Sequence, residues 1–424
     1  MQLEKPEVFL PDNQIMKSLL SERGGLWVAS SMNAPHLWLV AKLANHTIRQ
    51  VYAGADVFLE VFVVDVDGET IPLYGLVICD DNDHPMVLSG PCSSPKEFEN
   101  LRDLLKLDSV PFQFHNENGL AVLSVQCSFN PADATSVVET LPNDPPADDK
   151  YVVAQKALDI AQEWSHDQSQ SEPRILSHCK LPLKLTNHQL FNVHLAAVGS
   201  VNLGDEDQGK ELEILTLQLF DDLFPFGAYH SPQRQSSKGF LEVCDVLAIS
   251  RTQQIEGEGV FVIQNKVAAA DGYIRSYDRR AATIRKNITK AIKQSVGAIK
   301  KIKSGTQIYK KDGAKIEEDR PEVVGVVEPL DLVARAHEVG YGIILISDMH
   351  EGVDWEDVLF ELADATEATG YYHFVLDLQE MYGLIANCNG QPAILENYLI
   401  QRFEKMVAEK TAMLRTQFMH KNTS

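Results

Sequence analysis

No stretch of this 424-residue chain approaches eighteen consecutive apolar residues, so the sequence offers nothing with the length and apolarity of a bilayer-spanning helix. Its first residues, MQLEKPEVFLPDNQ, have neither a basic start nor an apolar run, which does not fit a secretory signal. A cytoplasmic protein with no membrane partner is the expectation. Cysteine is sparse: Cys79, Cys92, Cys127, Cys179, Cys244 and Cys388 are scattered, with no CxxC and no paired spacing, against a zinc ribbon or a disulfide framework. They read as small buried apolar residues. GxxxxGK[ST], HExxH and GxSxG are absent, which removes the usual signatures of phosphate-loop binding, zinc proteolysis and nucleophile-elbow hydrolysis. No base-reading motif, aromatic stacking run or half-site arrangement is visible either.

The length calls for two or three domains, each large enough for its own core. A formal net charge of −22 speaks against a polyanionic partner on average. The average conceals a strong exception. From Gln264 to Lys311 there are thirteen Lys or Arg against Asp271 and Asp278, a net +11 in 48 residues, so the other 376 residues carry −33. Such segregation predicts a basic stripe on an acidic body, able to concentrate a polyanion at one place.

Residues 1–137 read as a β-rich domain. Strand-forming runs flank Asp67-Gly68 and Asn118-Gly119, both strong hairpin signals, and PKEFENLRDLLKL reads as a short amphipathic helix. Residues 138–150, rich in proline and acids without periodicity, read as a linker. A connecting segment over 151–208 would hold a helix at about 150–164 and one or two strands in 174–202. From 209 a helix (GKELEILTLQLFDDLF) leads to a polar loop and then to a pair of strands in FLEVCDVLAISRTQQIEGEGVFVIQNK. The recurrence of Ile284, Ile288, Ile292, Ile299 and Ile302 predicts a long helix that stops near Gly305. Strands at EVVGVVEP and YGIILISDM follow, then a helix at about 354–369, a strand at 372–378 and a final helix at about 394–416. The fold class is α+β or α/β, multidomain, with sheet and covering helices from residue 205 onward.

The strand pair carries polar residues that an apolar hairpin does not need. Alternate side chains of a strand share a face, so Val262, Gln264 and Lys266 point one way, and Asp245 joins them if the register permits. Taken singly, a strand-end Lys snorkels and an Asp near a turn caps a backbone amide. Taken together, the helix, the strand with Asp245 and the strand ending in Gln264-x-Lys266 resemble the PD-(D/E)xK nuclease superfamily, in its Mrr-like QxK variant. That resemblance covers about residues 209–350, with 351–424 as a C-terminal α/β extension packing on the core. It implies a restriction-endonuclease-like mixed sheet flanked by helices, running helix, three strands, helix, strand.

The resemblance also implies divalent-metal phosphodiester hydrolysis with Mg²⁺ or Mn²⁺, held through oxygen by Asp245, Gln264 and a carboxylate from the first helix, with Lys266 as the catalytic cation. In Gly209-Lys210-Glu211-Leu212-Glu213, Glu213 is chosen over Glu211. Gln264 stands where the family usually has Glu or Asp and supplies no negative charge. On the long helix Gln294 is implied to face the site, and Arg279, Arg280, Arg285, Lys286, Lys290 and Lys293 to meet phosphates. The expected partner is nucleic acid, DNA before RNA, in restriction or bacterial defence, with a homo-oligomer or a regulatory protein as further partners. The rival expectation is a nuclease-like module without catalysis that binds nucleic acid or protein. In SDMHEGVDWED, Asp354 is expected to cap the helix that begins at Trp355, ahead of any metal role for Asp348, His350 and Glu351.

Overall fold

The computed structural model describes residues 8–22, 24–79, 85–92, 94–142, 151–166, 174–195, 199–204, 207–224, 227–237, 239–249, 259–267, 277–309, 340–347 and 349–414. They fall into two compact units, one of Met1–Val193 with Asn202–Gly204 and Gly272–Ser276, the other of His194–Val201, Asp205–Asp271 and Tyr277–Ser424.

The first unit is built on eight strands: β1 (Gly25–Ser31), β2 (Ala34–Lys42), β3 (Val57–Val66), β4 (Glu69–Ile78), β5 (Met86–Pro91), β6 (Val110–His115), β7 (Ala121–Ser128) and β8 (Ile175–Leu190). Its sheet runs β1-β2-β6-β7-β8-β3-β4-β5, with β2 and β6 parallel. The β3–β4 hairpin turns at Asp67 and Gly68, with φ of 56° and 86°, the left-handed pair that a two-residue hairpin requires. In the β6–β7 turn Asn116 Oδ1 accepts from the amides of Asn118 at 3.1 Å and Leu120 at 3.0 Å, so a side chain organises the loop.

Strand β8 pairs with β3 through its first half and with β7 through its second. The sheet curls, and the Tyr74 hydroxyl of β4 donates to the Leu26 carbonyl of β1 at 2.9 Å. Val57, Leu59, Val61 and Val63 face the main core, while Phe62, Val64 and Val66 meet α5 (Tyr151–His166) through Ala154, Ala157 and Ile160. Burial on both faces is why this strand reads as an almost continuous apolar run. Among the described residues four more helices belong to the unit: α1 (Asn13–Ser21), α2 (Asn45–Tyr52), α3 (Pro95–Leu104) and α4 (Pro131–Thr140). Thus α5 and β8, expected in a connecting segment, are packed into the first unit. Residues 138–140 of the expected linker complete α4, and 143–150 lie outside the described residues.

Two short strands, β9 (Asn192–Leu195) and β10 (Gly199–Asn202), precede the main elements of the second unit. These begin with α6 (Gln208–Leu223), capped by the Asp207 side chain on the Lys210 amide at 3.0 Å. There follow β11 (Ala228–His230), β12 (Gln233–Ser236), β13 (Gly239–Glu242), β14 (Val246–Ile249), β15 (Val260–Lys266), α7 (Tyr277–Lys303), β16 (Ile308–Tyr309) and β17 (Gly340–Ile346). The chain ends in α8 (Trp355–Thr369), β18 (Tyr372–Asp377), α9 (Leu378–Ala386) and α10 (Pro392–Glu409).

A five-stranded mixed sheet runs β11-β14-β15-β17-β18, and β13-β12-β16 form a separate small sheet. The first three strands of the larger sheet are antiparallel neighbours, and β15, β17 and β18 are parallel. Parallel strands need crossovers, and α7 and α8 lie in those two connections. On one face Phe220 and the adjoining Phe224 of α6 meet Phe261 of β15. On the other, Ala298, Ile299 and Ile302 of α7 pack on Leu247, Ile249, Val260 and Val262. The expected strand EVVGVVEP lies outside the described residues. No helix among the described residues is long and apolar enough to cross a membrane.

The close seating of α7 depends on a missing side chain in β17. A Cβ on Gly342 would stand 2.5 Å from the His373 ring and 2.8 Å from Ser295 Oγ of α7. Gly342→Ala is therefore expected to destabilise the second unit by about 1–3 kcal/mol, the usual cost of overpacking. Urea unfolding followed by circular dichroism measures it, and an unchanged midpoint would show that α7 yields at no cost.

Candidate active site

Strands β14 and β15 pair with Val246 opposite Ile263 and Leu247 opposite Val262. Continued by one residue, that register sets Asp245 across from Gln264. The carboxylate closes the pair itself: Asp245 Oδ2 accepts the Asn265 backbone N–H at 2.5 Å and lies 3.9 Å from Lys266 Nζ. The ammonium in turn donates to the Asn265 carbonyl at 2.9 Å. Leu247, Ile249, Val260 and Val262 share the α7-side core, so alternation puts Asp245, Gln264 and Lys266 on that same face. Asn265 points the other way, where its Oδ1 accepts from Thr216 Oγ1 of α6 at 2.9 Å.

The surroundings are dry on one flank. Gln264 and Lys266 stand beside Ile344 and Ile346 of β17, and in-register parallel neighbours present the same face. Asp245 is 7 % exposed and Gln264 2 %. Burial is the main cause that pushes the Asp245 carboxyl up from 3.8 to about 6; Glu213 and Glu242 push it further, against the opposing pull of Lys266 and the Asn265 amide. Glu213 is tied in turn to His230, whose Nε2 lies 3.1 Å from Glu213 Oε2.

The basic residues of α7 take a different place. At about 100° per residue, Lys286, Lys290 and Lys293 fall on one side of the helix, opposite Ile284, Ile288, Ala291 and Ser295, which are buried. Arg279, Lys286, Lys290, Lys293 and Gln294 are exposed, and Arg280 and Arg285 partly so. Gln294 therefore lies on the outer side of α7, away from the sheet that carries Asp245. Arg285 is held by Glu361 of α8 at 2.8 Å. Burial acts to raise the Glu361 carboxyl, and hydrogen bonds from Arg285 and Thr289 outweigh it, leaving the group below its ordinary value.

Near β17, Asp354 caps α8 by accepting the Asp357 amide at 3.0 Å. His350 Nδ1 accepts the Gly352 amide at 3.1 Å, and its ring lies 4.3 Å from that of Tyr277; Asp348 lies outside the described residues.

The structure thus gathers Asp245, Gln264 and Lys266, and brings Glu213 within electrostatic reach. His230, Glu242, Asn265 and Thr216 belong to the same neighbourhood, and His230, Glu242 and Thr216 carry no mark in the sequence. Only Asn265 had a signal, since its position between Gln264 and Lys266 assigns it to the opposite face. Among the described residues no group of three or more His, Cys, Asp or Glu side chains is arranged to hold a metal ion; the available oxygen donors are two carboxylates, Asp245 and Glu213, and the Gln264 amide. Comparisons with family models, with curated proteins and with solved structures found no match.

An acid whose pKa rises on folding binds its proton more tightly in the folded state. From about pH 4 to about pH 6 the folded chain holds the Asp245 proton that the unfolded chain has lost, so this group's contribution to stability falls as pH rises through that window and is level above it. Carbon-detected NMR of the Asp245 carboxyl is expected to show a midpoint near pH 6, moved up in Lys266→Met and down in Glu213→Gln. A midpoint near 4 that ignores both variants would contradict this account of the site.

Proposed function

We propose that the second unit is a nuclease of the PD-(D/E)xK type, dependent on Mg²⁺ or Mn²⁺, that hydrolyses the phosphodiester backbone of DNA in a restriction or bacterial defence setting. The observation that carries this reading is the meeting of Asp245, Gln264 and Lys266 on one sheet face, with carboxylate and ammonium 3.9 Å apart. Further support comes from the elements of the larger sheet, with β12, β13 and β16 set apart in the small one: α6, the three antiparallel neighbours β11, β14 and β15, then α7 and the parallel β17, an order similar to the helix, three strands, helix, strand that the resemblance implies.

The donors suit a hard cation. All are oxygens, and a cation bound beside Asp245 would stabilise a carboxylate whose ionised form burial disfavours. Asp245, Glu213 and Gln264 would hold the ion. Bound there, it would supply Lewis acidity toward a phosphoryl oxygen and acidify its own water.

The chain's residues have separate tasks. Asp245 is fixed by the Asn265 amide, so its free oxygen has a defined direction. Lys266, with 18 % of its side chain exposed, is the member that reaches toward solvent and can meet the charge that builds on a phosphate in the transition state. Ile344 and Ile346 lower the local polarity and so strengthen that interaction. His230 orients Glu213.

Gln264 also favours a second reading. It brings no charge and is almost fully buried, which fits a nuclease-like module that binds nucleic acid or protein without cutting.

Incubation of supercoiled and linear DNA, single-stranded DNA and RNA with the purified protein in Mg²⁺, Mn²⁺ or EDTA separates the two readings. Metal-dependent cutting is expected, reduced by at least about 100-fold in Asp245→Asn and in Lys266→Ala, the range for loss of a preorganised electrostatic group. Undiminished cutting by both folded variants would end the nuclease reading, and calorimetric Mn²⁺ binding that Asp245→Asn leaves unchanged would end the metal assignment.

A further inference from the structure

The outer side of α7 combines charge, exposure and shape in a way that the Asp245 cluster does not require. Lys286, Lys290, Lys293 and Gln294, with Thr289, line an open cavity of about 570 Å³. Arg279 and Lys300 are exposed at either end of the same side. A rise of 1.5 Å per residue puts Lys286 and Lys300 roughly 21 Å apart along the axis. Within α7 the only acid is Asp278. The neighbouring α8 is acidic, but the carboxylate it sends to α7 is that of Glu361, which is bonded to Arg285 and Thr289. Arg285 is thus taken up by Glu361, which also feels Lys293, while the exposed Lys286, Lys290 and Lys293 lie on the side of α7 opposite its buried stripe.

We infer that the outer face of α7 is a second binding site, separate from the Asp245 cluster, which tracks the phosphodiester backbone of a nucleic acid through Lys286, Lys290 and Lys293. Charge complementarity names the occupant. On a chain of net −22 a basic strip attracts a polyanion while the net negative charge opposes wider contact, which favours a narrow linear ligand over a broad anionic one. A membrane surface fits poorly. An interfacial helix dips an apolar face into the lipid, whereas the apolar side of α7 is spent on the sheet and none of the exposed large hydrophobic residues lies on this helix. Phosphates of one strand recur about every 3.4 Å along a duplex axis, so the strip is long enough to follow several of them. Gln294 adds a neutral hydrogen-bonding group to the groove, suited to sugar or phosphate oxygen.

This site rests on the nuclease reading only for its purpose, which is to hold substrate near the cutting centre; binding itself does not depend on Asp245. The test is fluorescence anisotropy in EDTA with a labelled 20-base-pair DNA duplex, a 20-nucleotide single strand of DNA and one of RNA, over a salt series. The proteins compared are wild type, K286E/K290E/K293E, K286R/K290R/K293R and Asp245→Asn. All three lysines are exposed, and thermal melting checks that each variant is folded.

At least ten-fold weaker binding is expected in the Glu variant, with the slope of log affinity against log salt reduced by about 2 to 3 for three lost phosphate contacts. The Arg variant, which keeps all three charges, should bind as wild type does, and Asp245→Asn, which removes a negative charge, should bind at least as tightly. Equal affinity and slope in the Glu variant would overturn the site, as would capture by phosphatidylserine vesicles stronger than by any of the nucleic acids. Binding that depends on the lysines in a protein that cuts nothing would leave this site standing and remove the nuclease reading. Cutting that survives the Glu variant without loss of binding would do the reverse.

Discussion

The hydrogen bond from the Asn265 backbone N–H to the Asp245 carboxylate continues the β14–β15 ladder by one step, with a side chain where a peptide carbonyl would stand. Several properties follow from that substitution. The carboxylate is fixed at the strand end beside Lys266, and the intervening peptide of Asn265 gives its N–H to the acid and its carbonyl to the ammonium. Acid, peptide and base form one short circuit. A register shift by one residue would turn Gln264 and Lys266 toward α6 and bring Asn265 to the α7 side, because strand side chains alternate. The apolar residues of β14 and β15, packed on α7, forbid that shift. The polar site is thus held by the hydrophobic register around it.

Charge in the second unit is sorted by depth as well as by sequence. Inside, the Asp245 carboxyl is buried at the end of the sheet, and that burial, helped by the fields of Glu213 and Glu242, pushes its pKa up to about 6. Outside, the exposed side of α7 is basic, and the adjoining Glu361 is already satisfied by Arg285. The body of α7 lies between these two regions and shares a core with the sheet.

Much of this arrangement is legible in the amino-acid order. The hairpin at Asp67-Gly68, the length of α7, the cap at Asp354 and the shared face of Gln264 and Lys266 are local matters of turn chemistry and periodicity, and they stand in the structure much as the sequence reading has them. What escaped is tertiary. Helix α4 lies across the start of a segment read as linker, since Asn130 and Pro131 start a helix whose apolar content is slight. Helix α9 follows β18 directly, with Asp377 ending the strand and capping the helix, so no loop announces it. Strand β8 has few buried residues in its own right and earns its place by pairing, a non-local fact. His230 joins the site through Glu213, which is a matter of how α6 packs against β11. The outward direction of Gln294 is visible in retrospect from the isoleucine stripe, because the helix that buries Ile288 and Ala291 turns residue 294 off the buried side.

Strand β8 also has a bearing on the order in which the first unit can be completed during synthesis. One continuous run of sixteen residues supplies partners to both β3 and β7, although those strands precede it by many tens of residues. As the chain leaves the ribosome N-terminus first, β3 and β7 are made while their shared neighbour does not yet exist, and each has a bare edge of peptide groups that invites pairing with another chain. The arrival of residues 175–190 seals both edges in a single step. The last-made strand of this sheet is the one that covers those two edges, so a nascent chain halted before Ile175 would leave both of them bare even with nearly all of its apolar core already present.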